Sequence, residues 1–263
     1  MEADINNSKV EFFSQGFEII KSDNLKLLEE LRSNIFKCMS DIFSINPNFS
    51  PEEGFNYFHK HIESISPTEV NSLRIDLIKK ISNEIDFSEI IYRSFESSIN
   101  ALLGPDILAQ KVCNIVIQPP LDPNPSELHR DAPLNSPYEI VVWVPFVDCY
   151  ATKSMYILGA KETDEALSFL EKNQDDWDSF ETFCKDKSIQ PSVPFGYALV
   201  FFTGLFHGSF INQEKETRVS VNIRYKNLFS PSGLKNQLQF FKLLRSSPLA
   251  KLGSKLEMKE LTK

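Results

Sequence analysis

A histidine and an aspartate two positions apart, His129 and Asp131, are the residues of this sequence best suited to bind a metal ion. They follow a proline-rich turn and precede a long apolar segment, which places them beside a predicted strand. Residues two apart in an extended chain point to the same side, so an imidazole nitrogen and a carboxylate oxygen could meet at one ion. A third ligand must come from elsewhere, because His-x-Asp alone is a common triplet.

His207 is the candidate for the third ligand. It follows a strongly apolar predicted strand and its turn at Gly204, and Gly208 beside it leaves room for a close approach to an ion. Two histidines and one carboxylate, with the remaining positions open, form the ligand set of non-haem Fe(II) oxygenases. The alternative is a buried histidine satisfied by a hydrogen bond, which is the usual role of a single histidine.

The last clear predicted strand, 217–225, alternates between polar and apolar residues. Its polar face consists of Arg218, Ser220, Asn222 and Arg224. If this face lines the interior of a barrel, Arg218 with the hydroxyl of Ser220 or Ser209 makes a clamp for a carboxylate. Taken alone, a strand of this kind more often has its polar face in solvent.

The elements that must position these residues change in character after Pro105. Helical spacing predicts helices at about 24–44, 67–84 and 86–103. Short strands separated by proline and glycine turns follow, without βαβ alternation, which is typical of an antiparallel barrel or jelly roll. We expect a mainly β protein with flanking helices, in which the N-terminal helices brace the core.

One domain, 1–263, is expected because no segment has the composition of a linker. Within it, 1–105 is predicted to be mainly helical support, 106–230 the jelly-roll core and 231–263 a basic helical tail. An acidic insertion, 164–187, is predicted to be helical and could serve as a lid or as a surface cover.

The composition excludes several classes of function. A net charge of −8 over 263 residues argues against general binding to nucleic acid. The four cysteines include no C-x-x-C pair, which disfavours a thiolate zinc site, and no run is apolar enough for a membrane helix. We expect a cytoplasmic protein with a small-molecule or glycan substrate; its oligomeric state does not follow from the sequence.

Taken together, these motifs resemble the Fe(II)/2-oxoglutarate-dependent dioxygenases of the phytanoyl-CoA dioxygenase-like superfamily, over about residues 110–226. The resemblance rests on His129-x-Asp131, Val142-Trp143-Val144-Pro145, Ser154-Met155-Tyr156-Ile157-Leu158, Gly196-x-Ala198-x-x-Phe201, Phe206-His207-Gly208-Ser209 and Arg218-x-Ser220. It implies a double-stranded β-helix, the cupin-like jelly roll. The segment 136–143 is also similar to a bacterial subgroup found in carbohydrate biosynthesis clusters. Leu158-Gly159-Ala160-Lys161 departs from the Pro-Gly-Ser-His of many relatives, which affects the substrate rim.

The resemblance also implies roles. His129, Asp131 and His207 would bind Fe(II), and Arg218, with Ser220 or Ser209, would bind the distal carboxylate of 2-oxoglutarate. Residues expected beside this co-substrate are Asn114 and Gln118. With O2, the enzyme would hydroxylate a sugar or a glycan- or lipopolysaccharide-related substrate and release succinate and CO2. The presence of Asp131 favours hydroxylation, since related halogenases carry a small residue there.

Alternatives remain for the substrate and for other residues. The same chemistry could act on a lipid, an amino acid or a natural product, or the chain could be a non-catalytic glycan-binding jelly roll. Three basic residues could receive an anionic sugar: Lys153, Arg130 and Arg224. His59 and His61 could form a second metal or substrate site, although an exposed polar segment is the more usual explanation of such a pair.

Overall fold

The computed structural model describes residues 12–173, 176–234 and 237–255. Strand β1 (Phe17–Lys21) is followed by a helical region. Its helices are α1 (Leu25–Phe43), α2 (Pro51–Asn56), α3 (Phe58–His61), α4 (Pro67–Glu84), α5 (Phe87–Ser94) and α6 (Glu96–Leu103). Among the described residues, no helix has the length and apolar character needed to cross a membrane.

Helix α1 shows how this region braces the core. Its buried residues recur every three or four positions, among them Leu28, Leu31, Ile35 and Met39. This spacing gathers them on one face, and α1 packs against α4 and α5. The side chain of Asn24 accepts a hydrogen bond from the N–H of Leu27 and caps the helix start. The helix ends at Ser44, which has the left-handed φ of 56°.

The remaining strands form two antiparallel sheets. They are β2 (Ile107–Gln110), β3 (Asn114–Gln118), β4 (Glu139–Pro145), β5 (Met155–Ile157), β6 (Tyr197–Phe202), β7 (His207–Ser209), β8 (Arg218–Asn227) and β9 (Phe241–Arg245). The larger sheet has the order β1-β6-β4-β8-β2-β9, with β3 also paired to β8, and β5 pairs with β7 in the smaller one. The predicted fold, a jelly roll with flanking helices, is confirmed.

Strand β8 separates the two sides of the larger sheet, and the alternation predicted for it is confirmed. Its apolar residues lie in the main hydrophobic core: Val219, Val221, Ile223 and Tyr225. The Tyr225 hydroxyl donates to the carbonyl of Ser88 in α5 at 2.8 Å. The polar residues of β8 therefore point away from the helices, and Arg218 reaches Ser209 on the smaller sheet. They face the interior between the two sheets.

The rest of this interior is apolar. Val141 and Trp143 of β4 and Leu199 and Phe201 of β6 pack with Met155 and Ile157 of β5 in a second cluster. Polar groups are thus concentrated where β8 and β3 face the smaller sheet. This asymmetry gives the jelly roll one dry side and one side that can bind a polar ligand.

The tail differs from its prediction. Within its described residues, β9 lies between α9 (Gln237–Phe240) and α10 (Pro248–Lys255), so the prediction of a wholly helical tail is wrong. Strand β9 extends the sheet by pairing with β2. Its basic residues also pair with acidic groups at the start of α5, Lys242 with Asp86 and Arg245 with Glu89, both at 2.6 Å. These partners are distant in sequence, so the helical prediction had no signal of them.

Candidate metal centre

The two histidines are held opposite each other by their own backbones. The N–H of His129 donates to the carbonyl of His207, and the N–H of His207 donates to the carbonyl of His129, both at 3.0 Å. Side chains of an antiparallel pair lie on the same side, and the two ring centroids are 4.2 Å apart. The link joins the loop before β4 to the start of β7.

Asp131 lies two residues after His129 in the loop between β3 and β4, and its side chain approaches both imidazole rings. One donor atom from each of His129, Asp131 and His207 lies within 4.8 Å of the other two. The peptide group after Asp131 is fixed at both of its polar atoms: the Asp131 carbonyl accepts from the N–H of Asn135 at 2.9 Å, and the N–H of Ala132 donates to the carbonyl of Thr203 at 3.0 Å. The three side chains could hold one metal ion.

Both histidines present the nitrogen that a metal needs. Nδ1 of His129 lies 2.8 Å from the carbonyl oxygen of Glu127, and Nδ1 of His207 lies 3.0 Å from that of Leu205. A carbonyl oxygen can only accept, so each Nδ1 carries the proton. Each Nε2 then keeps its lone pair, which is the arrangement found in ligating histidines.

The electrostatics of the cluster suit a divalent cation. Burial, with repulsion from His129, lowers the pKa of His207 to about 4, so this imidazole is neutral at neutral pH. Burial alone would raise the pKa of Asp131, but the charge and the hydrogen bond of Arg224 hold it below the ordinary value. Asp131 is therefore a carboxylate, and its Oδ2 is buried without a hydrogen-bond partner among the described residues. A nitrogen, nitrogen, oxygen donor set with this unpaired oxygen fits a first-row divalent ion.

Arg218 forms a second part of the site. It is buried, and its Nη2 donates to the hydroxyl of Ser209 at 2.9 Å. Within the described chain its Nε and Nη1 have no partner, and neither has the hydroxyl of Ser220. Burial lowers the pKa of Arg218 to about 10, which leaves it charged at neutral pH. A buried guanidinium with unpaired donors fits an anionic ligand such as a carboxylate.

The two other predicted co-substrate contacts separate in the structure. Gln118 lies opposite Arg218 in the β3–β8 register, and its Oε1 has no partner among the described residues. Asn114 is at the far end of β3, four residues or about 13 Å away, and is exposed. The structure therefore does not bring Asn114 to Arg218, because β3 leaves the interior along its length.

Buried polar atoms without a hydrogen-bond partner are concentrated around the metal candidates and Arg218. In the described part of the chain, ten buried side-chain atoms have no partner, and seven of them belong to the interior of the jelly roll. Their residues are Gln118, Asp131, Arg218, Ser220, Asn222 and Arg224. Buried polar groups are nearly always paired, so such a cluster marks a place where a ligand completes the hydrogen bonds.

The space at Gly208 serves packing and not an approach to the ion, contrary to the prediction. A Cβ at this position would lie 2.5 Å from the hydroxyl oxygen of Tyr156 and 3.0 Å from the carbonyl oxygen of Ser126. Gly208 therefore faces the opposite side of β7 from His207. Its small size lets Tyr156 and the loop before His129 pack against the smaller sheet.

Gly208→Ala is expected to destabilise the protein by about 1–3 kcal/mol, the usual cost of overpacking a core. Gly253→Ala is the matched control, because a Cβ there has no atom of the described residues within 4 Å. That change, in the interior of α10, should stabilise by about 0.5–1 kcal/mol. Urea denaturation of both variants checks the difference. Equal stabilities would show that the contact at Gly208 is not tight.

Other predicted functional residues have structural partners. Nδ1 of His59 lies 3.0 Å from the hydroxyl of Thr217, and the ring of His61 contacts Phe49. Lys153 is fully buried and binds Glu216 at 2.7 Å, so it cannot receive an anionic sugar, contrary to the prediction. His59, His61 and Lys153 thus make structural contacts outside the interior site.

The acidic insertion covers the smaller sheet. It folds as α7 (Ala160–Lys172) and α8 (Trp177–Lys187). These helices bury Ala166, Phe180 and Cys184 against residues that flank the metal candidates, Leu128 and Phe206. The guanidinium of Arg130 also lies over the Phe206 ring, 5.0 Å from its centroid, on this outer side. The insertion thus acts as a packed cover.

The fold is similar to those of several solved proteins. The chain is similar to a non-haem monooxygenase, the ThoJ–nickel complex, with a TM-score of 0.56 and 15% identity over 94% of this chain and 86% of that one. It is similar to the epimerase SnoN in complex with Fe³⁺, α-ketoglutarate and nogalamycin RO, with a TM-score of 0.50 and 10% identity over 89% and 87%. It is also similar to EctD from S. alaskensis in its apoform, with a TM-score of 0.54 and 11% identity over 90% of this chain and 83% of that one.

At these identities the likeness shows the fold. The chain shares its fold with these three proteins, of which SnoN was solved with Fe³⁺ and α-ketoglutarate. Its sequence matches no family model and no curated protein.

Proposed function

We propose that this protein is an Fe(II)- and 2-oxoglutarate-dependent oxygenase. The observation that carries the proposal is the cluster of unpaired buried groups around two histidines and one aspartate in a jelly roll. His129, Asp131 and His207 would hold Fe(II) through two Nε2 atoms and Oδ2. When bound, iron and 2-oxoglutarate supply the oxidation of a substrate C–H bond by O2, with release of succinate and CO2.

The protein's own residues would bind and orient the reactants. Arg218 would bind the distal carboxylate of 2-oxoglutarate through its unpaired Nε and Nη1, with Ser209 fixing the guanidinium and Ser220 adding a hydroxyl. Gln118 would line the same end. The apolar half of the interior would exclude water from the remaining space.

For the substrate we propose a sugar or a glycan- or lipopolysaccharide-related molecule, hydroxylated at carbon. The neutral side chain of Asn222, whose Oδ1 has no partner among the described residues, suits a hydroxyl group of a sugar. The resemblance of segment 136–143 to a subgroup from carbohydrate biosynthesis clusters supports the same class. The alternative is a natural product, since the structurally similar SnoN was solved in complex with nogalamycin RO.

Two measurements test this function. Anaerobic addition of Fe(II) and 2-oxoglutarate should give the weak visible charge-transfer band of a chelated keto acid; its absence from the wild-type protein contradicts the oxygenase. Succinate release is then measured across nucleotide sugars, lipopolysaccharide sugars, acyl-CoAs and aromatic natural products. Stimulation by a sugar supports the proposed substrate. Stimulation only by a compound of another class contradicts the proposed substrate. If no compound stimulates succinate release, the sugar substrate is also contradicted, and a non-catalytic binding protein is favoured.

A further inference from the structure

The two carboxylate oxygens of Asp131 have different surroundings. Oδ1 accepts a hydrogen bond from Nη2 of Arg224 at 2.6 Å, within an ion pair whose side chains are 9% and 13% exposed. Oδ2 is buried and has no partner among the described residues. The carboxylate is therefore oriented, with one oxygen taken by the protein and the other left for a ligand.

Arg224 is itself held in place from two directions. Its backbone belongs to β8, paired with Val141 of the central strand β4. The buried Gln110 of β2 accepts through Oε1 from the backbone N–H of Arg224 at 3.2 Å and from Nη1 at 3.4 Å. Gln110 is fixed in turn by donating to the carbonyl of Val112 at 2.6 Å. A chain of hydrogen bonds thus runs from the sheet to Oδ1 of Asp131.

A guanidinium stays protonated and cannot bind a metal, so the effect of Arg224 must pass through Asp131. By holding Oδ1, it prevents the carboxylate from chelating an ion through both oxygens. By donating a charge-assisted hydrogen bond, it also draws electron density from the carboxylate. Both effects would keep coordination positions of the ion open and lower its electron density.

We propose that Arg224 is a positioning residue that makes Asp131 a single-oxygen metal ligand. This inference rests on the proposed function. It also replaces the prediction that Arg224 receives an anionic substrate: Nη1 donates to Gln110 and Nη2 to Asp131, and among the described residues Nε has no partner. The charge of Arg224 is already paired with the carboxylate of Asp131.

The test uses the full chain with three substitutions. Arg224→Met removes the donors and the charge, and Arg224→Lys restores a charge and one donor. Arg245→Met is the matched control, because Arg245 makes a 2.6 Å pair with Glu89 outside the site. Each protein is loaded anaerobically with Fe(II) and 2-oxoglutarate for visible spectra, and separately with Mn(II) for water-proton relaxation.

For Arg224→Met, the charge-transfer band should move to longer wavelength, because a more basic Asp131 raises the energy of the iron electrons. Relaxation by bound Mn(II) should fall by about a third, as Oδ1 replaces one of three waters in a six-coordinate ion. Arg224→Lys should lie between Met and wild type, and Arg245→Met should match wild type. Either change, if restored by lysine, supports the positioning role.

If the Arg224→Met protein has the wild-type band and the wild-type relaxation, the inference is wrong. This holds even if the variant needs a higher substrate concentration for activity. Loss of the band with unchanged circular dichroism, restored by lysine, supports it. If Arg224→Met does not fold, Arg224→Lys decides by the same two measurements against wild type. A wild-type protein without a band contradicts the proposed function itself, so the two failures are distinguishable.

Discussion

Replacement of Asp131 by asparagine, or of His207 by alanine, is expected to abolish the charge-transfer band formed with Fe(II) and 2-oxoglutarate. Each change removes one of three ligands from a site that offers no substitute nearby in the described structure. Loss of an outer hydrogen-bond partner already costs roughly 10–100-fold in metal affinity, and loss of a ligand should cost more. The measurement is an anaerobic Fe(II) titration followed at the band.

Asparagine is preferred to alanine at Asp131 because it keeps a partner of the same shape for Arg224, which would otherwise be buried without one. His61→Ala is the matched control, since that imidazole packs on Phe49 and should leave the band intact. Circular dichroism separates loss of the site from loss of the fold. A band of wild-type strength in either folded variant would mean that these residues are not the ligands.

Local patterns account for the parts of the fold that depend on neighbours in sequence. The spacing predicted a helix at 67–84, and the structure has α4 at those residues. The alternation predicted for 218–225 placed the apolar residues in the main core and Arg218 and Arg224 in the interior between the sheets. Both follow from the geometry of a single element, 3.6 residues per turn or two residues per repeat.

What the sequence could not predict depends on pairing between distant segments. Arg224 was placed on the polar face, but its contact with Asp131 joins residues 93 positions apart. Gln110, which fixes Arg224, lies in a strand that was not predicted at all. The orientation of Gly208 also depends on which strand lies beside β7. The candidate ligands could be found from residue types and order, whereas the groups that orient them required the register of the sheets.

Arg218→Ala is expected to weaken the binding of 2-oxoglutarate by about 2–5 kcal/mol, or roughly 30-fold to several-thousand-fold. The reason is that a fully buried guanidinium would pair with the distal carboxylate, and its loss leaves that carboxylate buried without a counter-charge. The measurement is the 2-oxoglutarate concentration that gives half of the band. Fe(II) binding alone should not change, which distinguishes this result from loss of a metal ligand.

Two further variants sharpen the role of Arg218. Arg218→Lys keeps the charge but loses the planar pair of donors, so its affinity should lie between those of alanine and wild type. Arg130→Ala is the matched control, because Arg130 lies over Phe206 on the outer side and should not affect the co-substrate. Unchanged 2-oxoglutarate affinity in Arg218→Ala would rule out the anchor. The partner of the two unpaired Arg218 nitrogens would then be the substrate, and the substrate should bind more weakly to Arg218→Ala.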